Sequence, residues 1–208
     1  MARDETQSRR RFLIAATTVA GAGGLVALAI PFIRSLDPSA AANAAGAPVD
    51  IDISRLEPGA MISVRWRGRP VWVLRRTAEQ LQGLQAPDLL QRLKDPDSLE
   101  PQQFGPEVVN WHRSIEPEYF VVVGICTHLG CVPDYRPEVA PVDLGPEWPG
   151  GFYCPCHGSR YDLSGRVFRK MPAPLNLPVP PYYYSSVTLL RVGELADKSK
   201  ENWGPQTW

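Results

Sequence analysis

Two short motifs constrain this chain more than any other feature: Cys126-Thr127-His128-Leu129-Gly130-Cys131 and Cys154-Pro155-Cys156-His157-Gly158-Ser159. They hold all four cysteines of the chain and two of its three histidines. Each supplies a cysteine, a histidine and a second cysteine. Imidazole and thiolate together suit zinc, iron or copper. A structural zinc site of two cysteines and two histidines pairs like with like, whereas here each pair is mixed, Cys-x-His and Cys-x-x-His. An all-cysteine iron–sulfur cluster could open on Cys126-x4-Cys131, but the next cysteine lies 23 positions on, unlike the plant-type spacing, and both histidines stay idle. Two plain disulfides in an exported protein also leave the histidines idle.

Residues 12–33, FLIAATTVAGAGGLVALAIPFI, carry no charge and lie between Arg11 and Arg34. At about 1.5 Å per residue they make roughly 33 Å of helix, enough to cross a bilayer core. The run exceeds the apolar region of an ordinary secretory signal, which favours a retained anchor, although Ala42-Asn43-Ala44 has the small-x-small form of a cleavage site. Ser8-Arg9-Arg10-Arg11-Phe12-Leu13 resembles a twin-arginine export signal, with Arg9 and Arg10 as the pair. An ordinary positive flank gives the same topology: residues 1–11 inside, a transmembrane anchor over 12–34, and the rest of the chain outside. The expected location is a bacterial inner membrane, single-pass, with the head on the periplasmic side.

Residues 35–48 have no large apolar side chain after Leu36 and read as a hinge linker, although their alanines could form a short helix. The head is expected over 49–208. Val49 to Ile53 alternates with period two, as does part of Met61 to Trp66, and Val71 to Leu74 is a third strand. Residues 77–94 have a helical period interrupted at Pro87. Tyr119 to Ile125 is an apolar strand running into Cys126. Arg166 to Arg169 and Ser186 to Val192 complete the expected strands. The fold class is mostly β: a single transmembrane helix plus a small antiparallel β head with a helical insertion. Lys and Arg total 22 against 22 Asp and Glu, and no basic stripe marks the motif-bearing half, so nothing points to nucleic acid.

The two motifs together have the Rieske pattern. With the anchor and the stretch Arg169-Lys170-Met171-Pro172-Ala173-Pro174-Leu175-Asn176, the chain resembles the Rieske iron–sulfur subunit of the cytochrome bc complex, in its bacterial form. The resemblance covers most of the chain and is densest from 119 to 178. It implies a β-rich head with a [2Fe–2S] cluster at one tip. Cys126 and Cys154 would hold the inner iron, His128 and His157 the outer one, and Cys131 would pair with Cys156 to join the two loops. Replacing two thiolates by imidazoles raises the potential to about −150 to +300 mV, against about −400 mV for plant-type ferredoxins. By the same resemblance Ser159 bonds a bridging sulfide and Tyr161 the Cys126 sulfur, tuning the cluster. Leu129, Gly130, Gly158 and Pro172 fall on the docking surface. His128 and His157 face outward as the catalytic, proton-coupled pair, with His157 toward quinol, so that one electron and one proton arrive together. The implied function is subunit of a quinol-oxidising, proton-translocating reductase. It takes an electron from ubiquinol at a cytochrome b subunit and passes it to a c-type cytochrome subunit, in a lipid-embedded complex that is a dimer. The 35–48 hinge would let the head swing between the two.

Two departures stand out. Met171 sits where the family has Gly, so it lacks glycine's backbone freedom. The 22 residues between Cys131 and Cys154 are longer than in mitochondrial relatives. His112 has no partner cysteine and reads as structural. Rieske ferredoxins and oxygenase domains are soluble and usually lack the second cysteine pair, so Cys131, Cys156 and the anchor argue against them. The exported Rieske subunit of an oxidase of the arsenite-oxidase type is the alternative; Leu129 and Pro172 to Asn176 favour the bc complex. A zinc-stabilised binding module is the remaining contrast.

Overall fold

The uncharged N-terminal run folds as helix α1, Ala2–Arg34, with Pro31 in its last turn, where the forgone i→i−4 hydrogen bond breaks only the helix end. Within Thr6–Arg34 an 18-residue window reaches a mean hydropathy of 2.1 and is fully exposed. An all-round apolar surface of this length suits lipid. The alanine-rich stretch that follows contains a short helix α2, Ala40–Ala45, as its propensity allows. This computed structural model describes residues 2–197, and the chain divides into two units between Ala44 and Ala45.

The second unit is built from three antiparallel three-stranded sheets. The first joins β1 (Val49–Asp52), β8 (Tyr182–Ser186) and β9 (Leu189–Val192) in the order β1-β9-β8. The period-two pattern of β1 is realised: Ile51 is buried while Asp50 faces out, opposite Arg191. The run from 186 to 192, expected as one strand, breaks after Ser186 and turns at 187–188, so its end belongs to a hairpin with β8. The tyrosine-rich partner strand, behind three prolines, was not legible by alternation.

The second sheet joins β2 (Met61–Trp66), β3 (Arg69–Arg75) and β4 (Tyr119–Val123) in that order. Arg67 and Gly68 form a two-residue turn with φ of 50° and 74°, the left-handed pair that matches strand twist in a tight hairpin. Val71, Val73, Leu74, Phe120, Val121 and Val122 are all fully buried. Continuous apolar runs are what a strand covered on both faces requires. The third sheet joins β5 (Asp134–Arg136), β6 (Gly151–Tyr153) and β7 (Arg160–Tyr161). These strands are two or three residues long and carry no periodic signal. Trp72 stacks on Phe152 with ring centroids 5.3 Å apart and locks the third sheet onto the second.

The helical insertion is two short helices, α3 (Ala78–Gly83) and α4 (Pro87–Arg92). Thr77 and Gln80 form a reciprocal capping box at the start of α3. Pro87 opens α4 at its first turn, where proline is favoured. The expected strand at Arg166 to Arg169 is absent. Val167 and Phe168 make only isolated bridges, to Tyr161 and Leu93. The reason is local: the Val167 N–H is taken by the Asn176 side chain at 2.8 Å, not by a strand.

Beneath this region lie three fully buried arginines, Arg76, Arg113 and Arg166, with one buried carboxylate, Asp162. Burial pushes Arg76 down to about 9 and Arg113 to about 10, so both stay cationic at neutral pH. Carbonyls do most of the compensation: Arg76 donates to the Pro117 and His112 carbonyls at 2.8 and 2.9 Å, and Arg113 to the Ser164 carbonyl at 3.0 Å. His112 packs on this network. Its Nδ1 lies 2.8 Å from Ser114 Oγ, which accepts from Arg76 at 2.7 Å. Burial, then the nearby Arg76 charge, push His112 down to about 4 from 6.5. Between those values the unfolded chain takes up a proton that the folded chain refuses. Stability therefore falls as pH drops from 6.5 towards 4, and this contribution is flat above 6.5. Allowing for the partial exposure of His112, the loss is about 1–2 kcal/mol. Chemical denaturation at pH 4.5 and 7.5 should show a smaller difference in His112→Gln than in wild type; an equal difference would remove His112 from the account.

Candidate metal centre

β4 ends at Val123 and delivers the chain into the loop carrying Cys126; β6 ends at Tyr153 and delivers it into the loop carrying Cys154. The two loops have the same backbone pattern. The Cys126 N–H donates to the Cys131 carbonyl at 2.7 Å and the Gly130 N–H to the Cys126 carbonyl at 3.0 Å. The Cys154 N–H donates to the Ser159 carbonyl at 2.8 Å and the Gly158 N–H to the Cys154 carbonyl at 2.9 Å. Each loop turns through a glycine with positive φ, 83° at Gly130 and 74° at Gly158, a conformation glycine adopts without steric cost.

The pattern sorts the side chains by depth. Cys126 and Cys154 are free thiols, each 2% exposed. His128 is half-buried and His157 exposed, and their rings meet edge to face with centroids 4.7 Å apart. Cys131 and Cys156 form a disulfide across the two loops. The Cys154 sulfur lies within 4.8 Å of both disulfide sulfurs. Burial, with the neighbouring Cys126 thiol, pushes the Cys154 thiol above its ordinary value. Two buried thiols held together as neutral groups in an apolar setting are poorly satisfied; as thiolates they need a cation. Two thiols at depth and two imidazoles at the surface form a donor set that fits an iron–sulfur group.

Tyr161, on β7, is fully buried. Burial, then the Cys126 contact, raise its hydroxyl well above the usual tyrosine range, so it keeps its proton. Its oxygen lies 3.2 Å from Cys126 Sγ and accepts from the Thr127 N–H at 3.2 Å. The Thr127 hydroxyl donates to the Leu175 carbonyl at 2.7 Å. With those two protons committed, the tyrosine's own proton has the Cys126 sulfur at 3.2 Å and Thr127 Oγ1 at 3.3 Å as its acceptors. Ser159 is also buried, and its Oγ accepts from the Ala173 N–H at 3.1 Å. Thr127 and Asn176 were not singled out from sequence, although both lie inside the quoted motifs.

The remaining expected residues are near the surface. Leu129 is 70% exposed; Gly130 and Pro172 are exposed, and Gly158 is half-buried. Met171 is half-buried against the core, and the left-handed conformation falls one residue earlier, on Lys170 at φ 60°. The loop therefore makes its turn without a glycine at 171. Arg9 and Arg10 lie on α1.

Two cysteine–histidine loops on small antiparallel sheets, tied by a disulfide, define a Rieske-type iron–sulfur protein. Residues 89–181 match the Rieske [2Fe-2S] domain, and residues 1–39 match the Ubiquitinol-cytochrome C reductase Fe-S subunit TAT signal. The chain is 56% identical over 187 residues to the ubiquinol–cytochrome c reductase iron–sulfur subunit of Allochromatium vinosum, covering 89% of this chain and 88% of that relative. It is 45% identical over 188 residues to the subunit of that name from Blastochloris viridis, covering 89% and 93%. A solved chain from a hyperthermophilic respiratory Complex III is 28% identical, with 85% of this chain and 97% of that one covered and a TM-score of 0.45. The chain belongs to the family of ubiquinol–cytochrome c reductase iron–sulfur subunits. It is the electron-transfer iron–sulfur component of that reductase, with a Rieske-type [2Fe–2S] cluster as cofactor. The twin-arginine match and the apolar helix fit a membrane-anchored, exported subunit of bacterial complex III. The comparisons do not favour the arsenite-oxidase type.

Proposed function

We propose that Cys126 and Cys154 hold the inner iron of the cluster and that His128 and His157 hold the outer one, with His157 facing ubiquinol. The observation that carries this is the depth sorting: both free thiols are buried, while the imidazoles reach the surface and touch each other. When bound, the cluster supplies a one-electron acceptor of high potential. His157 is the most exposed of the four side chains in this assignment, so its uncommitted ring nitrogen can accept a hydrogen bond, and then a proton, from a quinol hydroxyl. Leu129, next to His128, offers an apolar contact beside the quinol; Gly130, Gly158 and Pro172 add little bulk around it. The Cys131–Cys156 bridge holds the loops in register and covers the buried sulfurs from water. The Tyr161 hydroxyl stabilises negative charge at Cys126, and Ser159, whose own hydrogen is not used on Ala173, can donate to a bridging sulfide.

The cytochrome b subunit supplies the quinol site, a c-type cytochrome subunit receives the electron, and the complex is a dimer with this head in the periplasm. Arg9 and Arg10 direct export; residues 12–34 anchor the chain and 35–48 let the head 49–208 move. The relatives' names and the sparse composition of 35–48 support this reading.

The test is Tyr161→Phe in the full-length chain, assembled in its complex and followed by redox-titrated EPR. A hydrogen bond to a charged group contributes about 1.5–3 kcal/mol. If roughly 1 kcal/mol of it acts only on the reduced state, the midpoint falls by about 40 mV and quinol oxidation slows, while the Rieske spectrum persists. An unchanged midpoint removes Tyr161 from the cluster's surroundings. A colourless, EPR-silent wild-type protein after reduction overturns the ligand assignment.

A further inference from the structure

The helical insertion reaches the metal centre through one segment, residues 93–98. Four consecutive residues of the proline loop are each tied to a different neighbour. The Ala173 N–H donates to Ser159 Oγ at 3.1 Å. Lys94 Nζ donates to the Pro174 carbonyl at 2.6 Å. The Leu175 carbonyl accepts from Thr127 Oγ1 at 2.7 Å. Asn176 Nδ2 donates to the Asp95 carbonyl at 3.1 Å. Two of these ties run to the two cysteine–histidine loops and two run to 93–98, so that segment forms a third wall of the site.

The wall is itself well held. Leu93 is fully buried, and the Lys94 N–H donates to the Val167 carbonyl at 2.9 Å. Arg169 Nε donates to the Leu93 carbonyl at 2.8 Å. The Asp95 carboxylate caps the Leu99 and Glu100 N–H groups at 2.9 and 3.1 Å. The proline loop is poorly held by comparison. Pro172 and Pro174 have no N–H, so between 172 and 174 only Ala173 can donate from the backbone. Its position rests on ties made by side chains, and the one at its centre is the short, charge-assisted contact from Lys94, made at an exposed position.

We propose that Lys94 is a positioning residue for quinol oxidation, acting through the Pro174 carbonyl. By holding Pro174 it keeps the Ala173 N–H on Ser159 Oγ, which leaves the serine's own hydrogen free for the cluster. The proposal rests on the role given to Ser159 under Proposed function. It also gives the insertion a task at the site, beyond packing.

The experiment compares wild type, Lys94→Met and Lys94→Arg as full-length chains in the assembled complex. Three quantities are read: amide hydrogen exchange at Ala173, the cluster midpoint by redox-titrated EPR, and the quinol oxidation rate. In Lys94→Met, Ala173 exchanges about tenfold faster, the midpoint falls and the rate falls several-fold; Lys94→Arg, which can still donate to Pro174, restores all three. Wild-type exchange and midpoint in Lys94→Met overturn the proposal, as does failure of Lys94→Arg to restore them. Should Lys94→Met fail to assemble, Lys94→Ala serves in its place, and wild-type exchange and midpoint there overturn the proposal equally. A wild-type protein without a Rieske spectrum sinks the ligand assignment instead, whereas parity of Lys94→Met in a protein with an intact spectrum sinks only the role of Lys94.

Discussion

Cys154→Ser is expected to abolish the Rieske EPR signal and to lower quinol oxidation at least about a hundredfold, since changes merely beside a metal ligand already cost 10–100-fold. The serine fits the space. Its hydroxyl does not supply a thiolate, so Cys126 faces a neutral group and the paired donor set at depth is broken. His157→Ala should have a comparable effect on the spectrum for a different reason, by removing a surface donor while both buried thiols remain. The control is Ser185→Ala, on exposed backbone of β8, which should leave spectrum and rate unchanged. Retention of a full Rieske signal in Cys154→Ser would refute the ligand assignment.

Arg166→Leu is expected to cost about 3–5 kcal/mol of stability, the usual result of stranding one member of a buried ion pair. Arg166 Nε and Asp162 Oδ2 are 2.7 Å apart, with side-chain exposures of 0% and 1%. The same guanidinium donates to the Leu84 carbonyl at 2.7 Å and the Pro96 carbonyl at 3.2 Å, so its loss also releases both ends of the α4 region. The Asp162 carboxylate accepts from the Ser164 and Arg166 N–H groups at 2.9 and 2.8 Å, and those turn bonds would be left carrying an unpaired buried charge. By contrast Arg191→Leu breaks two partly exposed pairs, with Asp50 and with Glu194, at side-chain exposures of 35% against 48% and 26%, and should cost no more than about 1–2 kcal/mol. Chemical denaturation of both variants measures the difference; equal losses would mean that burial is not what makes the Arg166 pair matter.

Buried arginines show why part of this protein could not be read in advance. Arg76, Arg113 and Arg166 lie in stretches that look like polar turns, and arginine is ordinarily a surface residue. Their burial depends on carbonyls and hydroxyls brought in from positions up to 88 residues away, such as the Leu163 carbonyl and the Ser164 hydroxyl for Arg76. No local pattern encodes such a meeting. The short strands β5, β6 and β7 escaped for a related reason: two or three residues cannot show a period, and their place is set by Phe152 packing on Trp72 and Phe120. Long apolar runs, in contrast, were legible as β3 and β4 because a strand buried on both faces has to be apolar throughout.

The sequence by itself determined the donor chemistry and the membrane anchor with its export signal. Two mixed cysteine–histidine motifs carry donor types that local backbone turns can present together, and an uncharged run of 22 residues behind paired arginines needs lipid and an export route. Only the tertiary structure decided how those donors are sorted and supported. It placed the thiols in the core and the imidazoles at the surface, formed the Cys131–Cys156 bridge that the resemblance implies, and set the Tyr161 hydroxyl 3.2 Å from Cys126 Sγ. It also brought Lys94 and Asp95 against the proline loop across some 80 residues of chain. Motif spacing is a property of neighbouring residues, and burial is a property of everything packed around them, so the first could be read along the chain and the second could not.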